Sequence, residues 1–265
     1  MLVDTHSHIY DEAFDGDREQ VVQRAREAGV SKLLLPAIDR DSYGAMIALA
    51  RLHPDVCYPM MGLHPTSVNG NSDYERDLET VAAYFRDPPS GIRFCAVGEV
   101  GLDLHWEQEF LPQQRHALRF QVELALRYDL PLVVHTRDAW NEMCALLADY
   151  RGSGLRGVMH SFGGTEEHYR LVRSCGDFLF GIGGPVTYKK SPVAGMLPFI
   201  PPDEIVLETD SPYLPPVPHR GRRNESAYVA LVRDRVAEIY GIAPEEVERI
   251  TTDNVRRMFG ESIFS

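Results

Sequence analysis

Short apolar runs recur along the chain: residues 2–3, 32–38 (KLLLPAI), 56–63 (VCYPMMGL), 94–98 (FCAVG), 130–134 (LPLVV), 157–159 (GVM), 178–182 (FLFGI) and 205–207 (IVL). Runs this short and this continuously apolar predict strands covered on both faces, as in a parallel sheet. Between them lie segments whose apolar positions fall three and four apart, at 18–28, 43–52, 110–127 and 139–150, which predict amphipathic helices. Gly29 supplies a stop for the first. Eight strands alternating with helices predict an α/β fold, specifically a (β/α)8 TIM barrel. A doubly wound open sheet is the alternative, but no glycine-rich phosphate fingerprint follows the first strand.

The eighth run is followed by a proline-rich loop over 211–224, longer than most connections and so a candidate for function. The remainder reads as C-terminal helices: 225–240 with Asn224 as N-cap and Gly241 as stop, a turn opened by Pro244, and a last segment ending before Gly260. With 265 residues, 44% of them apolar, the chain can bury one sizeable core, and a single barrel domain over 1–265 is expected. No apolar run approaches the ~20 residues that span a bilayer, and no charged-then-apolar leader opens the sequence, so no membrane association is expected. Cys57, Cys95, Cys144 and Cys175 lie far apart without a CxxC pair; they read as buried free thiols, which suits a cytoplasmic protein. The net charge of −12 repels polyanions, so any contact with DNA or RNA must run through local cations or bound metal.

The residues just beyond each run carry the chemistry. His6 and His8 come after the first, His64 after the third, Glu99 after the fourth, His135 after the fifth, His160 after the sixth, and Glu208 with Asp210 after the eighth. In a parallel barrel all of these lie on the C-terminal rim, where active sites of this fold are built. Imidazole and carboxylate together suit Zn²⁺, Mn²⁺, Fe²⁺ or Co²⁺. Five or six such groups exceed the three that one catalytic zinc takes, which points to two metals about 3.5–4 Å apart with a carboxylate such as Glu99 between them.

The pieces "DTHSH", "GLHP", "VGEVGLD", "VVHTRDA", "HSFGG", "LETDSPYLPP" and "PHRGRRNESAYV" run in order from Asp4 to Val229. In them the chain resembles the TatD family of metal-dependent deoxyribonucleases, members of the amidohydrolase-like barrels. The resemblance implies metal ligation by His6, His8, Glu99, His135, His160 and Asp210. It also implies a 3′-to-5′ exodeoxyribonuclease that uses divalent ions, Mg²⁺, Mn²⁺ or Zn²⁺, to activate water. The carbamylated lysine of related amidohydrolases has no counterpart at the end of the fourth strand, and Glu99 would take its place.

The catalytic assignments are Glu99 and Asp210, the latter also as proton acceptor. Glu208 reads as a partner that orients a ligand histidine, and Asp103 as either such a partner or a loop anchor. His64 and Arg137 are expected to touch substrate, Arg137 through a phosphate oxygen or else paired with Asp138. His219, Arg220, Arg222 and Arg223 form the densest cationic cluster and are expected to position a phosphodiester. Trp106 and Tyr213 read as packing or loop-anchoring residues before base-stacking ones. DNA, or RNA, is thus the expected substrate, with no stable protein partner. Competing readings are a hydrolase of a small lactone, amide or amine on the same metals, and a non-catalytic metal-stabilised nucleic-acid binder.

Overall fold

Each of the eight runs contributes a strand in the computed structural model, which describes residues 1–264: β1 (Leu2–Asp4), β2 (Val30–Leu35), β3 (Cys57–Pro59), β4 (Val97–Asp103), β5 (Leu132–Arg137), β6 (Arg156–Met159), β7 (Asp177–Ile182) and β8 (Ile205–Leu207). All paired neighbours are parallel and follow sequence order. Regular ladders join β1–β2–β3 and β4 through β8. The two seams are closed by individual hydrogen bonds. Cys95 N–H donates to the Pro59 carbonyl and Gly98 N–H to that of Met61, each at 3.0 Å. On the far side Thr5 N–H donates to the Leu207 carbonyl at 3.0 Å, and Ser7 bridges Ser211 in parallel fashion. The eight strands thus close into the (β/α)8 barrel.

Both faces of each strand are covered, which is why the sequence shows runs in place of alternation. Val3, Leu34, Met60, Ala96, Val133, Val158, Leu179 and Val206, one from each strand or its immediate approach, form an apolar layer inside the barrel. Their neighbours Leu33, Leu35, Val134 and Phe180 belong to the other cluster, beneath the surrounding helices. Those helices are α1 (Arg18–Glu27), α2 (Arg40–Leu52), α3 (Tyr74–Arg86), α4 (Leu111–Tyr128), α5 (Trp140–Ala148), α6 (Glu166–Arg173), α7 (Pro192–Met196) and α8 (Val229–Tyr240). A ninth, α9 (Pro244–Phe259), brings Val255, Met258 and Phe259 against the interior layer and stoppers the lower end.

Some local expectations are corrected. Between Gly241 and Gly260 the tail is one continuous helix, because Pro244 sits in its first turn, where a missing N–H breaks no intrahelical bond, and a short 3-10 turn over Glu261–Ile263 follows. Asn224 does not cap α8, which begins at Val229 after a short 3-10 turn. Its amide donates instead to the carbonyls of Thr209 (2.8 Å) and Tyr213 (2.7 Å), pinning the loop after β8. β4 runs five residues beyond the predicted stretch, so Glu99 lies within it. The four cysteines are free and buried. Among the described residues no helix is long and apolar enough to cross a membrane.

Candidate metal centre

Above the apolar layer the same inward positions become polar. Two residues up from Val133 is His135, two up from Val158 is His160, and Val206 is succeeded at that spacing by Glu208 and Asp210. Glu99 reaches the interior where the β4–β5 ladder shifts register, between Val97 and Val100. Two glycines make room. A Cβ at Gly98 would stand 2.7 Å from Cβ of Val133, and one at Gly181 would fall 2.2 Å from the Glu208 carboxylate.

Glu99 is the hub. Its Oε2 lies 3.1 Å from His6 Nε2 and 3.7 Å from His8 Nε2, while Asp210 Oδ1 stands 3.4 Å from His8 Nε2 and 3.9 Å from His6 Nε2. Its other oxygen, Oε1, faces His135 Nδ1 at 3.0 Å, His64 Nε2 at 3.6 Å and His160 Nε2 at 3.9 Å. Asp210 Oδ2, 3.7 Å from His160 Nε2, connects the two sides. The six residues suggested by the family resemblance therefore converge, and His64 joins them.

Outer partners fix which ring nitrogen faces inward. Asp103 Oδ2 holds His135 Nε2 at 2.9 Å, leaving Nδ1 toward Glu99. Asp103 Oδ1 also accepts the His105 N–H at 3.0 Å, so this residue both orients a histidine and anchors a loop. Tyr10, absent from the residues singled out by sequence, donates its hydroxyl to the Pro36 carbonyl at 2.5 Å. Its oxygen accepts from His8 Nδ1 at 2.9 Å, which leaves a lone pair on Nε2. The spacing "HIY" was the available signal: Tyr10 is to His8 what His8 is to His6. Glu208 Oε1 accepts Ser161 N–H at 2.6 Å and lies 3.1 Å from His160 Nδ1, out of hydrogen-bonding alignment.

Burial opposes charge on Glu99, yet His6, His64 and His160 outweigh it and hold the carboxyl well below its ordinary range. Asp210 is lowered likewise, against burial, chiefly by His160 and His8. Burial also opposes protonation of His135, but Asp103 and Glu99 raise it to about 9. His160 is raised well above the usual histidine value against burial by Glu208, Asp210 and Glu99. His6 and His64 are lowered, mainly by burial. The carboxylates are thus held ionised by the imidazoles around them, of which His135 and His160 favour the protonated form.

These residues fit divalent cations. Donors about 2.1 Å from one ion stand about 3.0–3.4 Å apart, close to the separations around Glu99. His6 Nδ1 and Glu208 Oε2 are buried without a hydrogen-bond partner. His6, His8 and Glu99 form one compact triplet, and His64, Glu99 and His135 another, with Glu99 in both.

The centre opens into a cleft of about 770 Å³ whose walls include His64, Trp106, Arg137, Tyr213 and Leu214. Trp106 is 75% exposed and Tyr213 51%, so neither is packed away as the sequence suggested. Trp106 is held by the edge of His105, whose Nδ1 lies 2.6 Å from Asp138 Oδ2, and the Arg137 guanidinium stands 5.9 Å from the indole centre. Asp138 thus pairs with His105, leaving Arg137 at the mouth. His219, Arg220 and Arg222 do not line the cleft. His219 stacks on Tyr228 at 3.9 Å, Arg220 lies 4.5 Å over Tyr188, and Arg222 is exposed. Arg223 pairs with Asp17 at 2.7 Å. The loop turns away after Leu214 because Tyr188 and Thr187, on the loop after β7, bind Pro215 and Val217.

Comparison with known proteins agrees with this architecture. Residues 3–260 match the sequence profile of TatD-related DNases. The uncharacterized metal-dependent hydrolase YabD of Bacillus subtilis is 35% identical over 263 residues, spanning 98% of this chain and 99% of that one. The 3′-5′ ssDNA/RNA exonuclease TatD of a Rahnella strain is 35% identical over 258 residues, 94% of each chain. The crystal structure of YjjV, a TatD homologue from Escherichia coli, matches with a TM-score of 0.88 at 30% identity, covering 97% of both chains. The chain is a metal-dependent hydrolase and belongs to the TatD family.

Proposed function

We propose that this hydrolase is a 3′-to-5′ exonuclease of single-stranded nucleic acid, working at two divalent cations held on either side of Glu99. The observation that carries the reading is the Glu99 carboxylate, with one oxygen toward His6 and His8 and the other toward His135 and His160, at the floor of a cleft. His6, His8, Glu99 and Asp210 would hold one cation, and Glu99, His135 and His160 the other. When bound, the cations supply Lewis acidity toward a phosphoryl oxygen and lower the pKa of water.

The protein's own part is positional and electrostatic. Asp210, ionised and reaching both sides, accepts the proton of the attacking water. Asp103 fixes the imidazole of His135 by a hydrogen bond, and Glu208, held by Ser161 N–H, sets its charge beside His160. Arg137 offers a fork of donors to a phosphate oxygen, and His64 reaches the same wall. Trp106 and Tyr213 rise from the loops after β4 and β8, which are diametrically opposed in an eight-stranded ring. Two exposed aromatic faces across the mouth suit nucleobases better than a small lactone or amide. The apolar layer and α9 close the barrel beneath the centre, so substrate reaches it from the rim side alone.

Digestion of 3′- and 5′-labelled oligonucleotides, single-stranded and duplex, with Mg²⁺, Mn²⁺ or Zn²⁺ and with chelator, tests this. Metal-dependent shortening from the 3′ end is expected. Intact oligonucleotides alongside turnover of lactone or amide substrates would overturn it.

A further inference from the structure

The cations that turn away from the cleft are not scattered. Within the connection after β7 (residues 183–204) and the loop segment 211–224 after β8 lie Lys189, Lys190, Arg220, Arg222 and Arg223, and the only acids there are Asp203 and Glu204, which adjoin the start of β8. That segregation stands out in a chain with 39 acidic residues against 27 basic ones. Lys189 and Lys190 are two of the three lysines in the sequence.

The loops are fastened into one surface. The Tyr188 hydroxyl donates to the Pro215 carbonyl at 2.8 Å, Val217 N–H donates to Thr187 Oγ1 at 2.9 Å, and Arg220 stacks over the Tyr188 ring. Lys189, Lys190, Arg220 and Arg222 are exposed, and none of the four makes an ion pair with the described residues. Only Arg223 is spent internally, on Asp17. The platform begins where the cleft ends, since Leu214 lines the cleft and Pro215 and Val217 are its fastening points.

We infer that this β7–β8 platform is an outer binding site for the phosphodiester backbone of single-stranded nucleic acid, gripping the strand a few nucleotides from the end that enters the cleft. The inference rests on the nuclease reading for its orientation, though not for its charge. It assigns length preference to the platform and leaves hydrolysis to the centre. Phosphate contacts of this kind are sequence-independent and weaken with salt, by about 0.7 in log K per log unit of salt for each phosphate neutralised on a single strand.

The test is anisotropy of a 5′-fluorescein 20-nucleotide single-stranded DNA on the full chain in EDTA, beside cleavage of 4- and 20-nucleotide substrates with Mn²⁺. Four cations predict roughly 50-fold weaker binding between about 50 and 200 mM salt. K189E/K190E/R222E is expected to raise Kd for the 20-mer at least about tenfold and to flatten the salt dependence. In cleavage, the ratio of kcat/KM between long and short substrates should fall toward one. K189R/K190R should keep both properties, and thermal melting reads whether each variant is folded. K189Q/K190Q provides a milder second variant, with partial loss expected. Salt-dependent binding that the variants do not weaken overturns the platform, as does preference for anionic phosphatidylserine vesicles over the 20-mer. Variant-sensitive binding by a protein that never cleaves supports the platform and overturns the nuclease reading; cleavage with no dependence on length or variant does the reverse.

Discussion

The two ends of the barrel are built on one ladder with opposite chemistry. At the lower end Val3, Val133, Val158, Leu179 and Val206 meet the apolar terminus of α9, and the buried polar groups there, Asn254 and Thr252, are satisfied by main-chain carbonyls. Two residues further along the strands, His135, His160 and Glu208 occupy the equivalent inward positions, and the groups around them are ionised and incompletely bonded. The lower half gains stability from burial; the upper half buries charge that only other charge can compensate. Binding of cations at the upper end should therefore stabilise the folded chain, and the two ends should fail in different ways when altered.

The sharpest break is Glu99→Gln, which keeps the shape and removes the shared carboxylate charge. Activity should fall roughly a thousandfold or more, with elemental analysis showing lost metal and melting little changed in EDTA. Residual activity above about a tenth of wild type would remove Glu99 from the centre. Phe259→Ala is the mirror experiment, opening a cavity under the apolar layer. It should cost about 3–5 kcal/mol in denaturant unfolding while kcat at low temperature holds. Loss of activity without loss of stability would contradict the division between the ends.

Smaller effects sharpen the boundary. Asp103→Asn weakens the hold on His135 and should lower metal affinity about 10- to 100-fold, read by titration, with kcat at saturating metal less affected. His135, held at about 9, must shed its proton to ligate. Metal uptake at pH 7 should then release protons, visible as buffer-dependent calorimetric heats, and affinity should rise with pH up to about 9. An uptake with no proton release would refute the assignment. The least effect is expected of Asp17→Asn, outside both regions. Arg223, then Arg24 against a small burial cost, hold Asp17 down to about 2. A lowered folded pKa gives stability that is present above about pH 4 and lost as the pH falls toward 2. The variant should thus be weaker at pH 7, by under about 1 kcal/mol, and equal to wild type near pH 2.

Much of this was legible in the sequence, for a physical reason. A strand buried on both faces leaves an uninterrupted apolar run, and the first polar residues beyond it are those that clear the core, so His6, His8, His135, His160 and Asp210 announced the rim. Other features depend on contacts that no local pattern encodes. The small helix α6 turns only Tyr169 and Val172 inward, too few positions for a helical period to show in the sequence. Trp106 stands out in solvent because His105 and Asp138 hold it, and Arg220 faces away because Tyr188 lies beneath it. Direction, in loops, is a tertiary property.

The seam between β8 and β1 has a consequence for when the chemistry becomes available. Thr209 reaches across to Asp4 at 2.6 Å, and the hydroxyls of Ser7, Ser211 and Ser226 meet there, so the opening residues of the polypeptide are fastened to a stretch made some two hundred positions later. His6 and His8 stand on one lip of that junction and Asp210 on the other. A nascent chain still short of residue 210 already holds the histidines and Glu99 but lacks the carboxylate that reaches both sides, so the centre is completed only once the last strand has been made and seated against the first.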